Sequence, residues 1–168
     1  ASAGRTSGGE PHPLCDKVQY VAGDYPDYGG VSSSYFDDFK SGSDIKQGYL
    51  SLISSWEKYS EEPMLTAVRK YVEKREVVRD LIRSKVLFAN DKNILLTSWE
   101  GDNPPPIFKN LTKKQDKNMG SILDQGSALV RWKVMLPGVP EDRVWKNEAL
   151  MESWASFVLS HQTNKNLC

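Results

Sequence analysis

The fold class is decided by residues 43–88, which read SDIKQGYLSLISSWEKYSEEPMLTAVRKYVEKREVVRDLIRSKVLF. In the first part of this stretch, apolar side chains recur every three or four residues, as on one face of an α-helix. These side chains are Ile45, Tyr49, Leu52, Ile53, Trp56 and Tyr59. Because serine is a favourable N-cap residue, the first helix is predicted to begin after Ser43.

A second helix is predicted to begin at Pro63, since proline is favoured in the first turn of a helix. Apolar residues continue from Leu65 to Val86 at spacings of three and four, which predicts one long helix from about Glu62 to Phe88. Two long helices joined by a short link form an antiparallel pair.

Outside this pair the sequence predicts shorter elements. Alternation of apolar residues predicts strands at 16–23 and 128–136, and residues 94–99 are predicted to be either a strand or one more turn of helix. Helical spacing predicts helices at 32–42, 121–126 and 141–161. Residues 110–120 are predicted to form a polar loop, and the three prolines at 104–106 a stiff connector.

Together these elements predict a mainly α (α+β) fold, a helical bundle-like single domain with a small antiparallel sheet. Residues 1–16, rich in glycine, serine and proline, are predicted to be a flexible leader or strap, and residues 17–168 the globular domain. A length of 168 residues with 39% hydrophobic residues suits one such domain.

The overall charge and hydropathy narrow the predicted partners. Twenty-two basic and twenty-two acidic residues give no net charge, so the composition predicts neither nucleic acid nor an anionic membrane surface as a partner. No apolar run approaches the ~20 residues that a transmembrane helix needs. A protein partner is therefore predicted, with a small apolar ligand as a further candidate.

Both cysteines and both histidines lie near the chain ends, in HPLC (12–15) and HQTNKNLC (161–168). A disulfide between Cys15 and Cys168 is predicted, and closing so long a loop would stabilise the fold by roughly 4 to 5 kcal/mol. The alternatives are a zinc site of His12, Cys15, His161 and Cys168, or two unrelated free thiols.

A disulfide predicts an oxidising compartment, and hence an extracytosolic protein that is secreted, periplasmic or in an organelle lumen. The chain begins with Ala1 rather than methionine, so either a leader was removed or the start is artificial. Asn110 to Thr112 form an N-glycosylation sequon, with Asn110 as the acceptor.

The sequence contains no recognised catalytic motif, nucleotide-binding loop or metalloprotease motif, and so no catalytic, cofactor-binding or metal-binding residue is predicted. The charge pattern is more informative. Basic residues are concentrated in segment 69–85, where Arg69, Lys70, Lys74, Arg75, Arg79 and Arg83 form a candidate partner surface. The alternatives are that acidic residues of the first 44 positions neutralise this segment internally, or that it is a solvated helix face.

These patterns predict a non-enzymatic binding or structural subunit that acts through protein–protein contacts outside the cytosol. Two alternatives stay open. One is a carrier that holds a small apolar ligand between aromatic-lined helices, and the other is an enzyme without a recognisable motif.

Overall fold

The computed structural model describes residues 13–30, 34–118 and 120–165, with side chains as far as His161. Within this part of the chain the helices are α1 (Val18–Val21), α2 (Tyr49–Ser60), α3 (Pro63–Val72), α4 (Val77–Arg83), α5 (Pro106–Asn110) and α6 (Glu148–Lys165). The strands are β1 (Cys15–Lys17), β2 (Phe39–Ser41), β3 (Asp44–Lys46), β4 (Lys113–Asp116), β5 (Gly120–Leu123) and β6 (Leu129–Arg131). Single 3-10 turns lie at Tyr25–Tyr28, Gln125–Ser127 and Val144–Lys146.

The strands form three antiparallel pairs, β1 with β6, β2 with β3, and β4 with β5. The predicted helix-rich α+β fold with small antiparallel pairing is therefore confirmed. Residues 1–12 lie outside the described residues, so the predicted division at residue 16 stays a prediction; Pro13 and Leu14 are buried against the core.

The predicted pairing of the first two major helices is confirmed, since α2 packs against α3. Trp56 of α2 is fully buried, as are Leu65 and Val72 of α3. The predicted start at Ser43 is wrong. Residues 39–46 instead form the β2–β3 hairpin, whose turn uses Gly42 at φ 65°, and Ile45 lies 73% exposed on β3.

The predicted long helix from Glu62 to Phe88 is also wrong, because it breaks between α3 and α4. At about 100° per residue, a continuous helix would place Val77 about 180° from Val68, facing away from the core. The break lets both residues be buried, at 2% and 3% exposure. Arg75 reverses the backbone there in the left-handed region, at φ 55°.

Several short predictions are corrected as well. Segment 16–23 is strand β1 followed by the single helical turn α1, and the described part of segment 32–42, residues 34–42, contains β2 rather than a helix. The predicted loop 110–120 contributes β4, which pairs with β5 where a helical turn was predicted. Pro106 begins α5 rather than continuing a connector.

The core is held in register by buried polar groups as well as by apolar packing. The Tyr49 hydroxyl donates to the carbonyl of Pro13 and accepts from the indole N–H of Trp132, both at 2.9 Å. The Asp24 carboxylate is 3% exposed and accepts hydrogen bonds from the backbone N–H groups of Val78 and Arg79, each at 3.0 Å. These bonds fix the N-terminus of α4 against the 3-10 turn at Tyr25–Tyr28.

The last helix begins at Glu148, seven residues after the predicted start at 141. It buries Leu150 and Phe157, while Met151 is 49% exposed. Trp154 packs edge-to-face on Trp56 with ring centroids 5.1 Å apart, and so joins α6 to α2.

Candidate interaction surface

The predicted basic surface is partly neutralised by contacts within the chain. The Arg75 guanidinium donates to both carboxylate oxygens of Asp37, at 2.6 and 3.0 Å, and lies 4.9 Å above the ring of Phe36. The hydrogen bond to Asp37 raises the pKa of Arg75 above its usual value. At this point the acidic front of the chain does contact the basic segment.

Two more arginines of that surface are also paired, Arg69 both with α2 and at the end of its own helix α3, and Arg79 within and just before α4. Arg69 contacts Glu57 and Glu73, and Arg79 contacts Glu76 and Asp80. The remaining residues, Lys70, Lys74 and Arg83, are exposed and have no ion pair among the described residues. The predicted surface therefore keeps free charge only at these three positions.

A groove of about 390 Å³ lies between α3 and the extended chain that follows β6. Its lining is largely apolar and consists of Ala67, Val68, Tyr71, Trp132, Lys133, Val134 and Met135. Two of its aromatic rings, Tyr71 and Trp132, pack edge-to-face with centroids 5.9 Å apart. The rings make a rigid wall, and Met135, 88% exposed, stands at the rim.

The polar atoms of this wall are already bonded within the fold. The Tyr71 hydroxyl donates to Asp80 at 2.9 Å, and burial together with this hydrogen bond raises the pKa of Tyr71 to about 12. The Trp132 indole N–H donates to Tyr49. The groove consequently offers apolar contact area to a partner, with Lys133 as the one charged side chain of its lining.

Of the strand predicted at 128–136, only Leu129–Arg131 forms strand β6, but the predicted alternation of side chains continues to Met135. Trp132 is buried and Val130 and Val134 are half-buried, whereas the odd-numbered residues are exposed: Leu129, Arg131, Lys133 and Met135. Sequence reasoning singled out this segment as a strand but not as a site. The missed signal was an outward face that carries both apolar and basic side chains.

The residues considered for a disulfide or metal site are not brought together in the described residues. Cys15 is a free, half-buried cysteine on β1, while His12 and Cys168 lie outside the described residues. His161 packs on the ring of Phe157 near the end of α6, at 4.1 Å between centroids. The described part of the chain holds no group of three or more His, Cys, Asp or Glu residues placed to bind a metal.

The carrier hypothesis placed an apolar ligand between helices, whereas the groove lies between a helix and the extended chain that follows β6. That hypothesis stays a prediction. Among the described residues, no helix is both long and apolar enough to cross a membrane.

One comparison with known proteins gives a result that covers the whole chain. The family model described as CRISPR-associated protein (Cas_Csd1) matches residues 1–168. No curated protein and no solved structure matches the chain.

This match corrects the predicted location. CRISPR systems work in the cytosol of bacteria and archaea, so the extracytosolic prediction (secreted, periplasmic or lumenal) is wrong. The prediction of a disulfide is wrong with it, because cytosolic thiols are kept reduced and the described residues, which include Cys15 alone of the two cysteines, contain no disulfide. Asn110 is exposed at the end of α5, but its predicted glycosylation depended on the same compartment and so loses its basis.

Since the family model matches every residue, the chain belongs to the Cas_Csd1 family of CRISPR-associated proteins.

Proposed function

We propose that this chain is a non-enzymatic binding subunit of a CRISPR complex and holds another protein of that complex in the groove between α3 and residues 132–135. The observation that carries the proposal is the apolar groove with Met135 88% exposed at its rim. Single exposed apolar residues are ordinary, but a contiguous apolar concavity is typical of an interaction site. CRISPR-associated subunits typically assemble with other proteins, which supports the same conclusion.

The expected gain from covering this groove is appreciable. Burying one methionine side chain is worth about 1.5 to 3 kcal/mol, and the aromatic wall behind it adds further apolar area. The wall keeps its shape because Tyr71 and Trp132 are each tied to the core by a hydrogen bond. A rigid site loses little conformational entropy when it binds.

The test is assembly with the other CRISPR-associated proteins encoded beside this chain, followed by size-exclusion chromatography. Met135→Glu puts a charge at the rim of the groove and should abolish co-elution. Ile45→Glu is the matched control, because Ile45 is 73% exposed on the β2–β3 hairpin, which contributes no residue to the lining of the groove. If Met135→Glu assembles as well as the control, the groove is not the binding site and the proposal fails.

Nucleic acid is a second candidate partner, because CRISPR-associated proteins often bind it and the family match does not support its exclusion. Zero net charge is an average over the surface and does not exclude a local basic patch. The β4–β5 hairpin carries Lys113 and Lys117, both exposed, and Lys114, which donates to the buried Asp124 at 2.8 Å.

This candidate is tested by measuring the affinity of the chain for single-stranded and double-stranded DNA and RNA over a range of salt concentrations. Phosphate contacts predict a linear fall of log affinity with log salt. Lys113→Glu with Lys117→Glu should weaken binding and flatten that slope, while Lys58→Glu on α2 serves as the exposed control. An unchanged slope would exclude the hairpin.

A further inference from the structure

Among the described residues, the chain from β6 to residue 134, which borders the groove, is paired along one edge only. Val18 N–H donates to Ala128 O at 2.9 Å, and Asp16 opposes Val130 in the same antiparallel ladder. In such a ladder, alternate residues direct both their N–H and C=O to the same neighbour. The even-numbered residues 128 and 130 therefore bond to β1.

The same edge is used further along the strand. Trp132 O accepts from Val144 N–H at 3.2 Å, and Val134 N–H donates to Asp142 O at 2.8 Å. From 128 to 134, the backbone N–H and C=O groups of the even-numbered residues thus point to one edge, where they find hydrogen-bond partners. The N–H and C=O groups of Leu129, Arg131 and Lys133 point to the opposite edge, where the described residues supply no backbone partner.

The groove runs along this open edge. Side chains of successive strand residues point to opposite faces, so four consecutive residues do not line one space that lies on a single face. Residues 132–135 all line the groove, whereas residues 142–144 on the paired edge do not, so we place the groove beside the open edge with α3 as its far wall. Unpaired strand edges are templates for pairing with another chain.

We infer that the partner adds an extended segment to the open edge of residues 129–135 as a further β-strand, and that this segment alternates apolar with acidic side chains. The inference rests on the proposed function. Main-chain hydrogen bonds would supply affinity, and alternate side chains of the added strand would enter the groove against Tyr71 and Trp132.

The acidic character follows from the charges along this strand. Arg131 is exposed and its guanidinium lies 5.4 Å above the ring of Trp145, with no ion pair among the described residues. Lys133 has only a distant, solvent-exposed partner in Asp142, at 3.7 Å. On α3, which forms the far wall of the groove, Lys70 is exposed about one helical turn after the lining residue Ala67. Cations directly across a strand pair favour carboxylates.

A second copy of this chain is the less favourable occupant. Antiparallel pairing of two such edges, centred anywhere from Arg131 to Lys133, would oppose these cations with each other. Like charges directly opposite in a strand pair are destabilising. The charge pattern therefore selects a different, acidic segment.

The backbone part of the inference is tested with the full chain and a fluorescein-labelled ten-residue peptide that alternates valine with glutamate. Lys133→Pro removes an N–H that faces the open edge and spares the bonds to 142–144, as proline at a strand edge does. Its affinity for the peptide should fall about tenfold relative to Lys133→Ala, which keeps the N–H. Equal affinities of the two variants would overturn strand addition.

The charge part is tested with a second peptide that alternates valine with lysine. The wild-type chain should bind the glutamate peptide at least about tenfold more tightly, and Arg131→Glu with Lys133→Glu should reverse that order. Hydrogen exchange gives a readout without mutation: the amides of Leu129, Arg131 and Lys133 should become protected on binding. Peptide preference that is independent of these charges would overturn the acidic assignment.

Failure of this inference is distinguishable from failure of the proposed function. If Met135→Glu abolishes assembly of the complex while Lys133→Pro assembles like Lys133→Ala, the groove binds a partner without strand addition. If Met135→Glu leaves assembly intact, the proposed function itself fails. Unchanged exchange at Leu129, Arg131 and Lys133 in the assembled complex would overturn the strand addition alone.

Discussion

The strongest stability prediction concerns Asp24, whose carboxylate caps a helix more than fifty residues away in sequence. Its two oxygens accept from the N–H groups of Val78 and Arg79, each at 3.0 Å. Glu76, the residue in the N-cap position of α4, makes no side-chain capping bond. Asp24 therefore satisfies two of the four N–H groups that the first turn of a helix leaves unpaired.

The magnitude follows from burial. Ordinary N-cap substitutions to alanine cost about 0.5 to 2 kcal/mol. Here the cap is 3% exposed and Val78 is fully buried, so Asp24→Ala would also leave a buried N–H without an acceptor. That adds about 1 to 3 kcal/mol, giving an expected loss near 3 kcal/mol. Asp24→Asn keeps one acceptor oxygen and should lose about half as much.

Urea unfolding at neutral pH measures the change in the free energy of unfolding. Asp27→Ala is the matched control, because Asp27 is exposed in the same 3-10 turn and should change stability by less than about 0.5 kcal/mol. Hydrogen exchange at Val78 and Arg79 should accelerate in Asp24→Ala. If Asp24→Ala is as stable as the Asp27→Ala control, the capping argument is refuted.

Three further predictions concern the core and the groove wall. Trp56→Ala should cost about 3 to 5 kcal/mol, since Trp56 is fully buried; a melting temperature within a degree or two of wild type would contradict this. Burial and the hydrogen bond to Asp80 raise the pKa of Tyr71 to about 12. Because the hydroxyl holds its proton more tightly in the folded than in the unfolded protein, it contributes to the free energy of unfolding below pH 10, and this contribution is lost as the pH rises through 12. Tyr71→Phe should therefore flatten the fall of unfolding free energy between pH 10 and 12, and an unchanged slope would count against the shift. Arg75→Ala should cost only about 1 kcal/mol or less in urea unfolding, because its ion pair with Asp37 is exposed; a loss above about 2 kcal/mol would show that the pair matters more than its exposure indicates.

Local patterns predicted the elements that depend on one periodicity. The 3.6-residue repeat placed Trp56, Val68 and Val72 in one helix pair, and the period-two alternation placed Trp132 inside and Met135 outside. Both hold because the face that a residue occupies follows from its position along a helix or strand. The candidate groove is the meeting point of these two elements, and no local pattern shows which helix meets which strand.

The predictions that failed depended on long-range pairing or on the compartment. The break between α3 and α4 was missed because the spacing puts Val77 on the opposite face from Val68 in a continuous helix, but does not show that Val77 is buried in the core. The disulfide was inferred from the position of the two cysteines near the two ends of the chain, whereas the family match places the chain in a reducing cytosol.

By itself, then, the sequence determined that the chain folds as a helix-rich α+β protein with a paired α2 and α3 and an alternating strand near residue 130, because these features rest on side-chain periodicity. Only the tertiary structure decided where polar groups find their partners. Asp24 caps α4, Arg75 is neutralised by Asp37, and the even-numbered edge of residues 128–134 is paired while the odd-numbered edge is open. Each of these depends on contacts between residues distant in sequence, and those contacts form only when the whole core packs.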